Sequence, residues 1–287
     1  MSAAPSPSAA PPERPGKAME WFSGQLFRAL APRLPRVEMP RPPRALEPYE
    51  LLTIPRKGRG GSLGGTWFPA ANAGSGEVRG AVLMMPPWME WGRSYFHRRG
   101  RIVALREAGY HVLTADFSGF GASSPPQGFF DRDVADALAE LRRRGAGLPL
   151  HFWGVSSGGH WAHPVLSREE GVLGAFFEDV SPHLIEWSRN TQPLGLPFYK
   201  IFQHVTRSSY RFMDMRRHAP HLRVQAKAYV SGEDDRGVRP DDTRALARLA
   251  GGECLIVEGA DHLGSIRTAN QQIIDLALDT FRRGGGA

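Results

Sequence analysis

The sequence predicts an α/β architecture: a mostly parallel central sheet with helices on both faces. Three observations carry that expectation. Strand-like and helix-like segments alternate from about residue 48 onward, as right-handed crossover connections require. The run Ala81–Met85 is apolar without alternation, as a strand covered on both faces is. The composition is globular, with 41% hydrophobic and 23% charged residues in 287.

The elements follow in order. Tyr49–Ile54 and Ser62–Phe68 read as two strands around a basic, glycine-rich turn at Lys57–Gly61. Ala81–Met85 is the next strand, Arg93–Ala108 a helix closed by Gly109, and His111–Ala115 a strand. Asp131–Arg144 is a helix with Val134, Leu138 and Leu141 on one face. Leu148–Trp153 is a strand, Ser157–Leu166 a helix and Gly171–Phe177 a strand. Residues 181–222 break the rhythm and are expected to form a helical lid insert. The alternation resumes with Val224–Val230 (strand), Pro240–Leu249 (helix), Cys254–Val257 (strand) and Ile266–Phe281 (helix).

Residues 1–47 form an arm ahead of a domain at 48–287. Ten of the 24 prolines fall within residues 1–44, and the first 16 residues read as disordered. Further on, Met19, Trp21, Phe22, Leu26, Phe27, Leu30 and Leu34 recur at nearly helical spacing. One reading packs this helix on the domain. The other makes it an interfacial anchor on an anionic membrane surface, given Lys17, Arg28 and Arg33.

The net charge is +7 and the isoelectric point about 10.0. Its location argues against nucleic acid. Residues 1–44 hold seven basic and three acidic residues, residues 181–222 hold six and two, and the remainder is close to neutral. No recognition-helix or zinc-finger signature accompanies the charge, so no nucleic-acid partner is expected. Mean hydropathy is −0.35 and no run of 18 apolar residues occurs, which predicts no membrane-spanning helix. A single cysteine, Cys254, excludes an intramolecular disulfide framework and a cysteine zinc site. With no secretory-signal pattern, the expected location is cytoplasmic, with peripheral membrane contact through the arm or lid as the alternative.

Chemistry concentrates at Gly154-Val155-Ser156-Ser157-Gly158, a G-x-S-x-G pattern. The pattern is weak alone, and it occurs again at Gly60–Gly64 around Ser62. Context separates the two. Ser156 has a strand before it and a helix after it, as a nucleophile elbow needs, whereas Ser62 sits in a hairpin turn. At such a turn the serine backbone is strained, and side chains two positions to either side would clash, which explains Gly154 and Gly158. The helix that follows aims its first amides at the site, favouring developing negative charge.

A serine nucleophile needs a base, and the base an orienting acid. Of ten histidines, His262 stands out, in the loop Glu258–His262 directly after the last predicted strand. His97, His111, His151, His160 and His163 fall in or beside core elements and read as structural. The acid is expected after an earlier strand. Asp235, in Ser231–Val238, is the first choice; Asp234 stands next to it, and Glu178 or Asp179 after the preceding strand is a further alternative. Oxyanion stabilisation needs two backbone N–H donors. Ser157 would supply one. The other would come from the loop Pro86-Pro87-Trp88-Met89-Glu90-Trp91, where Trp88 is the first residue with an N–H.

These segments together resemble the α/β-hydrolase fold family. Met85-Pro-Pro-Trp88, the helix before Gly109, and the strand ending in Asp116-Phe-Ser-Gly-Phe-Gly-Ala-Ser123 resemble that family's first half. The elbow, Gly232–Asp235 and Gly259–His262 complete the resemblance over roughly residues 48–284. Two positions depart from the pattern: Pro86-Pro87 stand where His-Gly is usual, and Ser118 where arginine is usual. A serine at position 156 argues against the haloalkane dehalogenase and epoxide hydrolase branches.

The resemblance implies acyl transfer to water from a small-molecule ester or acyl substrate. Ser156 would attack, His262 act as base, Asp235 orient it, and the Trp88 and Ser157 amides hold the oxyanion. No metal or organic cofactor is called for. A carboxylic ester is the leading substrate; a thioesterase or serine aminopeptidase would use the same residues. From another class, an inactive hydrolase fold would serve as a binding protein, and a basic-tail anion binder would lose its salt dependence on deletion of residues 1–44. Within the lid, Trp187, Phe198, Tyr199, Phe202, Tyr210 and Phe212 are expected to line an acyl pocket. Arg189, Lys200, Arg207, Arg211, Arg216 and Arg217 are expected to meet an anionic head group or lipid surface; the alternative is a packed helical cap with a solvated basic face.

Overall fold

The computed structural model of the protein describes residues 10–30, 41–74, 76–88, 92–97, 99–191 and 196–285. Eight strands form one sheet: β1 (Glu50–Pro55), β2 (Ser62–Phe68), β3 (Gly80–Met85), β4 (Tyr110–Ala115), β5 (Leu150–Val155), β6 (Val172–Glu178), β7 (Ala226–Gly232) and β8 (Glu253–Val257). Their order is β1-β2-β4-β3-β5-β6-β7-β8. Strands β3 to β8 run parallel to one another, and the antiparallel hairpin of β1 and β2 joins them through β2, which is antiparallel to β4. Ser62 opens β2 in that hairpin, as expected.

The helices are α1 (Lys17–Leu30), α2 (Arg101–Glu107), α3 (Asp131–Arg144), α4 (Ser157–Leu166), α5 (Leu184–Thr191), α6 (Leu196–Val205), α7 (Arg207–Phe212), α8 (Pro240–Ala250), α9 (Ser265–Thr268) and α10 (Asn270–Gly285). The expected strands and most of the expected helices are present, and α3 and α4 have the expected bounds. Side chains alternate between two buried clusters, as the period of two in a strand demands. Ala81, Leu83, Met85 and Phe152 pack with α3, α4 and α8 on one face. Val82, Met84, Trp153 and Val155 pack with α2 and α10 on the other.

Two expected helices are broken. The segment 93–108 divides into a 3-10 turn at Gly92–His97 and α2, with Arg99 and Gly100 both at positive φ. Tertiary bonding overrides the helical pattern there. The buried Asp116 carboxylate accepts the Arg93 N–H at 2.7 Å and also pairs with its guanidinium. The C-terminal helix divides at Ala269. Asn270 opens α10, donating from Nδ2 to Arg99 O at 2.8 Å and accepting from Arg101 Nε at 3.1 Å. Ser118, which departs from the family pattern, serves packing: its N–H and hydroxyl both donate to Asp133 Oδ2, and Arg59 pairs with the other oxygen at 3.0 Å.

Between β6 and β7, the described residues of the segment 181–222 contribute α5, α6, α7 and two 3-10 turns. Helix α1 packs against α7. Residues 1–9 of the arm and Leu34 lie outside the described residues, as do the side chains of Leu26, Phe27 and Leu30. No described helix is long and apolar enough to cross a membrane.

Histidines are built into the seam between α4 and these helices. His160 Nδ1 bonds Ser181 O, His183 Nε2 bonds Tyr210 O, and His218 bonds Ser167 Oγ and Phe212 O. His163 bridges Gly159 O and the Tyr229 hydroxyl. Burial pushes His160 and His218 down to about 3, and His163 and His183 down to about 4. An unfolded histidine takes up its proton near 6.5, so between there and about 4 the unfolded chain binds more protons than the folded one. Stability is therefore complete above 6.5 and is lost as pH falls. Denaturant titrations at pH 7.5 and 5.0 should differ by roughly 1–2 kcal/mol for each of these histidines. Equal midpoints would contradict the burial of four neutral rings.

Candidate active site

The site is set by how closely the turn between β5 and α4 packs. Ser156 lies at φ 49° and ψ −113°, a conformation L-residues rarely adopt. Its N–H donates to Glu178 O at 2.7 Å, and its carbonyl accepts from the His160 N–H at 2.9 Å, so both sides of the turn are held. The two elbow glycines are steric necessities. A Cβ on Gly154 would lie 2.6 Å from the Cα and N of Gly159, and one on Gly158 would lie 2.1 Å from Met85 O. The loop after β3 therefore runs directly over the first turn of α4.

The loops after β7 and β8 meet in the same way. A Cβ on Gly232 would lie 2.1 Å from Ala260 O, and the Asp234 N–H donates to Ala260 O at 2.9 Å. This contact brings Asp235 to His262. Nδ1–H of His262 donates to Asp235 Oδ2 at 2.7 Å, and Ser156 Oγ lies 3.3 Å from Nε2. The Asp235 bond fixes the tautomer, leaving Nε2 as an acceptor for the serine hydroxyl. Asp235 is buried, and its Oδ1 accepts the N–H groups of Gly237 and Val238, each at 2.8 Å. Asp234 is exposed. Among the candidate acids, Asp235 makes the bond to the imidazole.

Burial alone would lower the basicity of His262. The hydrogen bond and then the charge of Asp235 outweigh it and raise the imidazole above its ordinary value. Among the described residues, Asp179, Asp235 and His262 are the group whose ligand atoms lie close enough to address one ion. Asp235 and His262 Nδ1 are already spent on each other and on amides, so the donor set fits a hydrogen-bonded chain, not a metal centre.

Beneath Ser156 lies a buried ion pair. Arg101 donates to both oxygens of Glu178 at 2.8 and 3.0 Å, and neither side chain is exposed. Ser265 Oγ adds a bond at 2.7 Å. Glu178 thus ties α2 and α9 to the residue whose carbonyl holds Ser156, and it lies away from the imidazole.

Ser157 is the first residue of α4 and is buried. Trp88 is half-buried, its ring edge-on to Phe120 and Phe130, which anchors the loop that Pro86 and Pro87 begin. Met89, Glu90 and Trp91 lie outside the described residues. Of the described aromatic side chains expected at an acyl pocket, Trp187 approaches the site, its ring 6.5 Å from that of His262. Phe212 instead belongs to the core, stacked on Phe129, and Tyr210 packs on His183. The side chains of Phe198, Tyr199 and Phe202 lie outside the described residues. Arg216 is spent on Glu186 and Asp214, and Arg217 approaches Asp214, which leaves Arg211 the more available cation of the three. The imidazole opens on one side to a groove of about 1100 Å³ lined by Glu233, Arg236, Arg239, Asp241 and Arg244 among others.

No protein-family model and no curated protein matches the chain. Solved structures do. An esterase from Pyrococcus furiosus superposes with a TM-score of 0.70 at 16% identity, over 88% of this chain and 97% of its own. A thermostable carboxyl esterase from Bacillus coagulans gives 0.62 at 14% identity, over 81% and 99%. This chain has the α/β-hydrolase fold. Pyrococcus horikoshii acylaminoacyl peptidase gives 0.61 at 14% identity, with 82% of this chain matching 42% of that one. Within the hydrolase fold, Ser156, Asp235 and His262 occupy the loops after β5, β7 and β8, at the carboxyl ends of parallel strands where ligands bind in open α/β sheets.

Alanine at Gly158 would force the loop after β3 away from α4. Thermal or denaturant unfolding of Gly158→Ala should show a loss of about 3 kcal/mol or more, and unchanged stability would refute the close approach.

Proposed function

We propose that the protein is a serine hydrolase that cleaves a carboxylic ester through an acyl-enzyme intermediate. The observation that carries this reading is the continuous hydrogen-bonded chain from Ser156 Oγ through His262 to Asp235 Oδ2. Ser156 attacks the substrate carbonyl while Nε2 of His262 takes its proton. Asp235, buried and held by two amides, keeps Nδ1 protonated and stabilises the imidazolium. His262 then donates to the leaving group, and water repeats the sequence in reverse. The Ser157 N–H at the start of α4 and the Trp88 N–H of the proline-led loop hold the oxyanion. The 3.3 Å serine–imidazole separation is long, as expected before substrate tightens the site.

Esterases among the structural neighbours support an ester substrate. The acylaminoacyl peptidase neighbour supports peptide-bond cleavage as the second reading. A fluorophosphonate probe separates either from a binding protein, because labelling needs an activated serine and no particular substrate. The label should map to Ser156 and vanish in Ser156→Ala. Asp235→Asn should lower kcat by about 10³–10⁴-fold. The acidic limb of kcat/KM should lie above 6.5, since the folded environment raises His262. An intact, folded chain that takes no label would end this reading.

We also propose peripheral contact with an anionic membrane surface. Trp21 and Phe22 of α1 and Ile201 of α6 are exposed, and Lys17, Lys200, Arg207 and Arg211 nearby in sequence are exposed cations. Sedimentation with anionic vesicles should fall strongly in Trp21→Ser/Phe22→Ser. Equal binding to neutral vesicles, or no change in the variant, would contradict it.

A further inference from the structure

A second buried carboxyl faces the imidazole. Asp179 directly follows β6, at φ 52°, and its N–H donates to Val230 O of β7 at 2.7 Å. Its side chain is fully enclosed. Oδ2 accepts the N–H of Leu263, the residue after His262, at 2.9 Å, and Leu263 is itself at φ 59°. Oδ1 is buried with no hydrogen-bond partner among the described residues. Ligand atoms of Asp179, Asp235 and His262 all lie within 4.8 Å of one another.

Two enclosed carboxyls this close cannot both carry charge cheaply. The donors decide which one does. Asp235 receives three N–H bonds, from Gly237, Val238 and the His262 ring, whereas Asp179 receives one. The groups facing Asp179 reinforce the difference. Glu178 from its own strand and Asp235 from the loop after β7 disfavour its ionisation, and His262 from the loop after β8 favours it. Arg101 of α2 and Tyr95 of the turn at 92–97 also sense its charge, but Arg101 is committed to Glu178.

We propose that Asp179 is a positioning residue that works in its protonated form: it pins the backbone next to His262 while leaving Asp235 the single charged partner of the imidazole. The proposal rests on His262 being the base of the reaction. Burial first, then Glu178, pushes the Asp179 acid up to about 8. Above that pH a second negative charge faces the imidazole, stabilises its cation and makes His262 a poorer proton donor to the leaving group.

The test compares the full-length wild type with Asp179→Asn and Asp179→Ala. Asparagine mimics the protonated acid, with one acceptor for the Leu263 N–H and no charge to gain. The His262 imidazole is followed by NMR from pH 5 to 10. The wild type should show a second inflection near pH 8, absent in Asp179→Asn. At pH 7, Asp179→Asn should keep kcat/KM within about threefold, while Asp179→Ala should lose about tenfold or more in kcat with little change in KM. A second inflection that persists in Asp179→Asn, or an asparagine variant as inactive as the alanine one, would overturn the proposal. If Asp179→Ala does not fold, the asparagine comparison decides alone. The titration is read without turnover. A wild type that shows the inflection but hydrolyses no ester would support the Asp179 assignment and refute the hydrolase reading.

Discussion

The strained backbone at Ser156 is the constraint on which the site depends. A residue at φ 49° and ψ −113° persists only where its surroundings over-determine it. Here three contacts do so. Gly154 lets α4 close onto β5, Gly158 lets the loop after β3 close onto α4, and Glu178 O holds the Ser156 N–H. The same turn sets the serine hydroxyl 3.3 Å from His262 Nε2. It also brings the loop after β3 against the first turn of α4, where Met85 O and Pro86 O crowd Gly158. Local strain and proposed chemistry thus have one origin, backbone atoms packed too closely for a side chain.

Support for that turn comes from below. The Arg101–Glu178 pair is buried on both sides, and a buried pair is costly to break because either partner alone is an uncompensated charge. Glu178 and Asp179 are adjacent in sequence yet divide their roles. One carboxyl turns to the scaffold behind the sheet and the other to the loop that carries His262. Asp179 itself sits in the left-handed region, at φ 52°.

Much of this was legible in the sequence, and the reasons are local. Strand-turn-helix context distinguished Ser156 from Ser62, since only one of two equal motifs lies at the carboxyl end of a parallel strand. His262 was legible because it follows the last strand. What stayed hidden depended on contacts between distant segments. Asp234 and Asp235 are equivalent in sequence; the amides of Gly237 and Val238 single out Asp235. The helix expected at 93–108 is broken by Asp116, a residue on the far side of β4. Phe212 carries the pattern of a pocket residue but is drawn into the core by Phe129. Arg216 reads as a free cation until Glu186 and Asp214 meet it. Asp179 gave a partial signal, an acid at a strand end, with nothing to mark its approach to His262.

The central claim is that His262 activates Ser156 for covalent acyl transfer. Mass spectrometry of acid-quenched protein, taken early in turnover of an activated ester, tests it most directly. One acyl group is expected on the peptide that contains Ser156, formed by the wild type and not by His262→Ala. Hydrolysis with no acylated peptide, or acylation that survives loss of His262 at the same rate, would contradict it.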